Sequence, residues 1–104
     1  MTTFDNREKA FESKFAQDAD MQFRAEARRN KLLGLWAAGL LGKSGDGAAA
    51  YAMEVVNADF EEAGVEDVVR KVAGDLGAKS SADEVRAKLG EFLTVAKSQL
   101  INEF

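Results

Sequence analysis

The chain has 104 residues, 46% of them hydrophobic and 31% charged, and it contains no proline, cysteine or histidine. These values fit one domain with a real core and exclude a disordered or membrane-spanning chain, while the missing cysteine and histidine argue against disulfides, thiolate catalysis and a zinc site. The formal charge of −4 is concentrated in residues 43–104, which carry twelve acidic and seven basic side chains, so general nucleic-acid binding is not expected.

The first predicted helix begins near residue 5, because residues 5–8 read Asp-Asn-Arg-Glu, which has the form of a capping box. Phe4, Phe11 and Phe15 would lie within about 40° of one another around this helix, in a narrow aromatic stripe. Such a stripe most often packs into its own bundle; the alternative is a helix that docks in a groove of a partner. Poor helix formers at 17–20 predict a bend or frayed turn that sets this segment apart.

A basic face follows in the sequence. Arg24, Arg28 and Lys31 share one side of the next helix, with Asp20 one helical turn before Arg24. This face could contact phosphate or an acidic protein, but such a cluster is more commonly solvated and satisfied by its own ion pairs.

The stretch 28–47 predicts the central helix, because its leucines and its single tryptophan cover several faces. A helix of this kind is packed from more than one side. The small residues Gly34 and Gly39 cost helix propensity, about 1 kcal/mol each relative to alanine, which indicates that another backbone approaches closely there. Gly42 is a natural left-handed cap, and the Lys-Ser-Gly-Asp-Gly that follows predicts a turn.

Three more helices are predicted after this turn. The first spans 48–63, and the second spans 65–76, where apolar residues follow the helical period most regularly. The last opens at a capping box, residues 81–84, and runs nearly to the C-terminus. No segment alternates with a period of two. The predicted fold is all-α, a compact bundle of four main helices plus a mobile or bent N-terminal helical segment.

The turn after the central helix partly resembles a phosphate loop, although Ala37 stands where that motif has its first glycine and a helix rather than a strand comes before it. Weak binding of ADP or ATP is nevertheless conceivable there. The residues that would bind it are Gly42, Lys43, Ser44 and Gly45. Elsewhere the serines lack a histidine base, and the acidic stretch 59–67 is interpreted as ordinary surface rather than as a metal site. The sequence therefore favours a binding or regulatory protein over an enzyme.

Several strings of residues resemble one family, the ζ subunit of the alphaproteobacterial F-type ATP synthase. The most specific string is A-E-A-R-R-N-K-L-L-G at 25–34, and the similarity covers nearly the whole chain. The other matching stretches are 4–12, 14–16, 36–38, the turn 42–46 and the acidic segment 59–64. Many members of the family have histidine where this chain has Gln17, so a histidine-based pH switch is not expected here.

The resemblance implies an inhibitor of ATP hydrolysis that binds the α, β and γ subunits of the synthase. Residues 1–19 would form the inhibitory segment and residues 20–104 the bundle that positions it. Within the segment, three phenylalanines would be the apolar contacts and five charged residues would pair at the rim. These contact residues are Phe4, Arg7, Glu8, Lys9, Phe11, Glu12, Lys14 and Phe15.

The resemblance also implies a location. The protein would be cytoplasmic, peripheral to the inner membrane through the synthase without inserting into the bilayer, and a monomer when free. The start of the chain, Met-Thr-Thr-Phe-Asp, has none of the features of a secretory signal. No cofactor is expected apart from the weak nucleotide binding above. Two other functions stay open, a nucleotide-sensing module and a helical adaptor whose phenylalanine stripe belongs to its own core.

Overall fold

The described part of the chain is built from four α-helices. The computed structural model describes residues 19–59 and 64–103, and no strand occurs within them. The helices are α1 (Ala19–Leu40), α2 (Gly45–Ala58), α3 (Glu66–Leu76) and α4 (Ala82–Asn102), with a 3-10 turn at Gly77–Lys79. The predicted all-α bundle with four main helices is confirmed. The predicted N-terminal helical segment lies outside the described residues.

The central helix, α1, packs against both α2 and α4. Its buried positions include Ala25, Leu33 and Gly34, and the prediction of a close backbone approach is confirmed at the glycine. A Cβ atom added to Gly34 would lie 2.6 Å from the Cα of Ala52 on α2. The same prediction is wrong at Gly39, where an added Cβ would meet nothing within 4 Å. One glycine of this helix therefore serves packing and the other does not.

The main core lies where the four helices meet. Three valines of α3 are almost fully buried, and burying a side chain of that size stabilises the fold by about 1.5–3 kcal/mol. The buried members of this core are Leu33, Ala37, Ala38, Tyr51, Val55, Val68, Val69, Val72, Leu76, Val85 and Leu89. A second, smaller cluster joins the first half of α1 to the last half of α4. Its buried members are Met21, Ala25 and Leu100.

The end of α1 is closed as predicted. Gly42 has a φ of +77°, in the left-handed region that glycine adopts without strain. The Lys43 amide donates to the carbonyl of Ala38 at 2.8 Å, and the Gly42 amide donates to the carbonyl of Gly39 at 3.2 Å. This pair of bonds is a Schellman motif, which satisfies carbonyl groups that the helix end would leave unpaired.

α2 is displaced along the sequence relative to the predicted 48–63. Ser44 has an extended backbone (φ −147°, ψ 167°) and acts as the N-cap, so the helix starts directly after it and includes both glycines of the expected turn. The helix ends at Ala58, and Asp59, which follows it in a turn, faces Arg29 of α1. The predicted start at 48 was wrong, and the predicted end at 63 lies outside the described residues.

The capping box before α4 is confirmed in one half only. The Ser81 hydroxyl accepts a hydrogen bond from the Glu84 amide at 3.1 Å. The Glu84 side chain accepts from the Ser80 hydroxyl at 2.6 Å instead of reaching back to the N-cap. Gly77, with a φ of +55°, ends α3 as predicted. The buried residues of α4 are Val85, Leu89, Ala96 and Leu100.

Candidate functional site

The residues predicted to contact a partner lie outside the described residues. They are Phe4, Arg7, Glu8, Lys9, Phe11, Glu12, Lys14 and Phe15. Their contacts stay predictions, as does the division into a segment 1–19 and a bundle 20–104. The structure describes the helix that follows these residues in the sequence, α1, which begins at Ala19.

The first half of α1 is held against the last half of α4 by one apolar and one ionic contact. Met21 and Ala25 bury their side chains against Leu100. One turn further along α1, both terminal nitrogens of the Arg28 guanidinium donate to the carboxylate of Glu103. These hydrogen bonds hold the pKa of Glu103 below its ordinary value. We call these five residues the mount, because they fix the start of α1 relative to the bundle.

Two of the three cations on the basic face of α1, Arg24 and Arg28, form ion pairs, whereas Lys31 is exposed. Arg24 lies 3.1 Å from the carboxylate of Asp20, one turn earlier, and both side chains are exposed. Arg28 pairs with Glu103 of α4. Exposed pairs of this kind contribute about 0–1 kcal/mol each. The ion pairs of Arg24 and Arg28 favour the interpretation as a solvated face over a phosphate site.

The residues predicted to bind nucleotide lie together in the exposed turn after α1 and at the start of α2. They are Gly42, Lys43, Ser44 and Gly45. The Ser44 side chain makes no hydrogen bond to the first amides of α2, although it occupies the N-cap position. Amides at a helix N-terminus attract anions, but Asp46 in the first turn opposes this. Nucleotide binding at this turn stays a prediction.

A polar group ties α2 to α3 beside the core. The Tyr51 hydroxyl donates to the Asp75 carboxylate at 2.8 Å. The Lys71 ammonium lies 3.1 Å from the same carboxylate, 3.4 Å from that of Glu54, and 5.3 Å from the centre of the Tyr51 ring. The cation thus contacts both helices, and the tyrosine fills the core while its hydroxyl remains satisfied.

The charges in this group shift the pKa values of its members. Burial raises the pKa of Tyr51 well above its usual range, and the hydrogen bond to Asp75 with the charges of Asp75 and Glu54 raises it further. Burial alone would raise the pKa of Asp75 as well. The hydrogen bonds from Tyr51 and Lys71, with the charges of Lys71 and Lys43, outweigh burial and lower it. The group is therefore neutral at the phenol and charged at the carboxylate.

The acidic stretch 59–67, interpreted as surface, is not uniform. Glu66 is exposed and pairs with Arg86 at 3.0 Å, a hydrogen bond that lowers the pKa of Glu66. Asp67 is buried instead, and its carboxylate accepts from the Val68 amide at 2.9 Å in the first turn of α3. The surface interpretation is wrong for Asp67, because the helix start draws this carboxylate toward the positive end of the dipole.

Sequence reasoning missed a buried polar group on α1. Arg29 and Asn30 are only 6% and 1% exposed. The Arg29 Nε donates to the Asn30 Oδ1 at 3.1 Å, and its Nη2 lies 3.7 Å from the carboxylate of Asp59, which directly follows α2. A signal was present, because Arg29 continues a four-residue spacing between Ala25 and Leu33, both buried. A charged residue in that register faces inward.

Asn30 also lines an open pocket between α1 and α2. The pocket is shallow, with an accessible volume of about 10 Å³, which is room for about one water molecule. Its walls are Phe23, Glu26, Ala27, Asn30, Val56 and Asp59. We call it the Asn30 pocket.

Neither a metal site nor a membrane span is found in the described residues. Within 19–59 and 64–103, no three acidic side chains lie close enough to share a metal ion. None of the helices in those ranges is both long and apolar enough to cross a bilayer.

The described residues form a small helical bundle in which many charged side chains lie in ion pairs or at helix ends. A family model for the ATPase inhibitor subunit zeta matches residues 1–99, so the chain belongs to that family. A family of inhibitor subunits is regulatory rather than catalytic. The resemblance recognised from the sequence is confirmed.

Comparison with solved structures gives the same fold. A protein whose structure was determined in solution by NMR is 67% identical to this chain and superposes with a TM-score of 0.75. The match covers 81% of this chain and 99% of that one. A search among curated proteins finds no matching sequence.

Proposed function

We propose that this protein inhibits ATP hydrolysis by the catalytic head of an F-type ATP synthase. Its segment 1–19 inserts between an α and a β subunit beside the γ rotor, and its bundle, residues 20–104, holds that segment in place. The protein acts by binding rather than by catalysis, on the cytoplasmic side of the inner membrane and peripheral to it through the synthase. The observation that carries the proposal is the family match, which begins at residue 1 and includes the segment.

The mount supports this division of roles. A segment that blocks a rotating partner must resist force, so it needs a rigid attachment. α1 begins at Ala19, and the buried contact of Met21 and Ala25 with Leu100 lies within its first two turns. The paired charges of Arg28 and Glu103 close the same end of the bundle. Force on the segment is thereby transmitted to α1 and α4 together.

The pattern of the segment supports its role as the part that binds. Phe4, Phe11 and Phe15 are spaced so that a helix would place them on one face, and charged residues lie between them in the sequence. Aromatic side chains that enter pockets of a partner supply most of the affinity of an interface, whereas charges at the rim set its register. A helix of under about 15 residues is marginal alone in water, so contact with the partner would stabilise it.

The experiment is an ATP hydrolysis assay with purified synthase from the same or a related bacterium, titrated with the full-length protein. Combining Phe11→Ala and Phe15→Ala should raise the half-inhibitory concentration at least about tenfold, because two interface aromatics each contribute about 1 kcal/mol or more. The matched control is Met53→Ala, which removes an exposed apolar side chain from α2.

Two results would contradict the proposed role of the segment 1–19. If the double variant inhibits as strongly as the wild type and Met53→Ala, the phenylalanines are not the contacts and the proposed role of the segment is wrong. If the double variant also melts at a clearly lower temperature, the stripe belongs to the protein's own core, which is the adaptor alternative.

A further inference from the structure

The start of α1 is held apart from the main core. Among the described residues, Met21 and Ala25 bury their side chains against Leu100, and the apolar residues that pack beside them, Leu93 and Ile101, also belong to α4. None of these five is a member of the main core. On the side that faces α2, the same part of α1 borders the open Asn30 pocket. The position of the first turns of α1 therefore depends on their contact with α4.

The apolar contact alone leaves the direction of α1 loosely defined, because apolar attraction is non-directional. The ion pair between Arg28 and Glu103 is directional. The Arg28 Nη1 donates to one carboxylate oxygen of Glu103, and its Nη2 donates to the other at 3.1 Å. Two parallel hydrogen bonds between a planar guanidinium and a carboxylate fix the orientation of both groups. The pair therefore adds a defined direction to a contact that otherwise only holds the two helices together.

The same pair stabilises the end of α4. The last turn of α4 contains no basic residue, although a cation near the C-terminus of a helix is favourable. Arg28 supplies that cation from α1. Glu103 is the C-cap of α4, and its amide donates to the carbonyls of Gln99 and Leu100 at 3.2 Å. Arg28 thus binds a residue whose backbone is itself joined to the last turn of α4.

A second ion pair of the same kind provides a comparison within the molecule. The Arg86 Nη2 and Nε donate to the two carboxylate oxygens of Glu66 at 3.0 and 3.4 Å. Both pairs are at least partly exposed, and exposed ion pairs contribute little to stability. The two pairs differ in their place in the fold. Arg28 lies in the first half of α1, whereas Arg86 and Glu66 join α4 to the first turn of α3.

We propose that Arg28 and Glu103 are positioning residues for inhibition, because their ion pair sets the direction in which α1 presents the segment 1–19 to the synthase. The segment is continuous with α1 in the sequence, so a change in the direction of the first turns of α1 changes the direction in which the segment leaves the bundle. A binding element held in one direction loses less conformational freedom on binding than one that samples many. The pair therefore affects inhibition more than stability. This inference rests on the proposed function and names residues of the bundle on which that function depends.

The test is the ATP hydrolysis assay with the full chain and purified synthase, together with thermal unfolding of each variant. Arg28→Glu and Glu103→Arg each place like charges together, and each should raise the half-inhibitory concentration at least about fivefold. Combining the two restores opposite charges in reversed order, so the half-inhibitory concentration should return to within about twofold of the wild type. Rescue of this kind distinguishes positioning from a direct contact of either residue with the synthase.

The matched controls are Arg86→Glu and Glu66→Arg, which disrupt the comparison pair in the same way. Both should inhibit within about twofold of the wild type, because neither residue lies at the start of α1. All four single variants should melt within a few degrees of one another, since each breaks one exposed ion pair.

The outcomes separate this inference from the proposed function. If the wild-type protein does not inhibit, both are wrong. If it inhibits, but the variants of the two ion pairs inhibit equally well, the proposed function stands and Arg28 and Glu103 have no positioning role. If the combined variant stays as weak as its parents, one of the two residues contacts the synthase directly and the inference is overturned. It is overturned as well if Arg28→Glu and Glu103→Arg melt clearly below the controls, because their loss of inhibition would then be a loss of folding.

Discussion

Gly34 of α1 lies directly against Ala52 of α2. A Cβ atom added to Gly34 would be 2.6 Å from the Cα of Ala52 and 3.1 Å from its Cβ. The nearest obstacle is backbone, which cannot rotate away as the end of a flexible side chain could. The missing side chain at Gly34 therefore sets the distance between the two helices, which are joined by the turn predicted to bind nucleotide.

Gly34→Ala is expected to destabilise the protein by about 1–3 kcal/mol, because α1 and α2 must separate to accept the new methyl group. Gly39→Ala on the same helix is the matched control, since its Cβ would meet nothing within 4 Å. That change should be neutral or stabilising by up to about 1 kcal/mol, through helix propensity. Denaturant unfolding of both variants measures the contrast. Equal effects would contradict the close packing.

Two serines at helix N-caps differ in their hydrogen bonds. Ser81 accepts from the Glu84 amide, whereas Ser44 caps no amide with its side chain. Ser81→Ala should therefore cost about 1 kcal/mol, and Ser44→Ala should stay within about 0.5 kcal/mol of the wild type. Thermal unfolding followed by circular dichroism compares them. A loss at Ser44 as large as that at Ser81 would show that its hydroxyl also caps.

The helices could be predicted because their signals are local. The apolar period of residues 65–76 and the left-handed conformations of Gly42 and Gly77, which end helices, depend on a few neighbouring residues. The start of α2 could not be predicted in the same way. Gly45 and Gly47 favour a turn locally, yet both lie in the first turn of α2.

The candidate sites show the same difference between features set by neighbouring residues and features set by contacts between helices. Arg29 and Asn30 read as part of a polar surface, since a charged residue and an amide are seldom buried. Their burial depends on α2 and α4 packing around α1, and on the carboxylate of Asp59. The predicted contact residues Phe4, Phe11 and Phe15 lie outside the described residues, so only experiments on the segment test them.

Tyr51 is the only tyrosine, so the absorbance of phenolate reports on it alone. Its midpoint in the folded protein should lie above the ordinary 10.0, because burial and Asp75 disfavour ionisation. A raised pKa stabilises the fold below pH 10.0, and this contribution is lost as the pH rises through the folded-state value. Asp75→Asn should lower the midpoint, since it removes the neighbouring charge. A wild-type midpoint at 10.0 would contradict the buried hydrogen bond.

Nucleotide binding at Gly42, Lys43, Ser44 and Gly45 predicts a local response to ADP or ATP. Titration followed by NMR should shift the amide signals of this turn and of the first turn of α2, with weak, saturable affinity. Lys43→Ala should reduce that affinity, whereas Lys79→Ala, beyond the end of α3, should not. Unchanged amide signals at millimolar nucleotide would remove the nucleotide-sensing alternative.

The central claim is that the segment inhibits and the bundle holds it. The most direct measurement compares full-length protein with a shortened chain that begins at Asp20, both in the ATP hydrolysis assay and in thermal unfolding. We predict that only the full-length protein inhibits, and that the two melt within a few degrees of each other, because residues 21–100 supply the buried core. Inhibition by the shortened chain, or its failure to fold, would contradict this account.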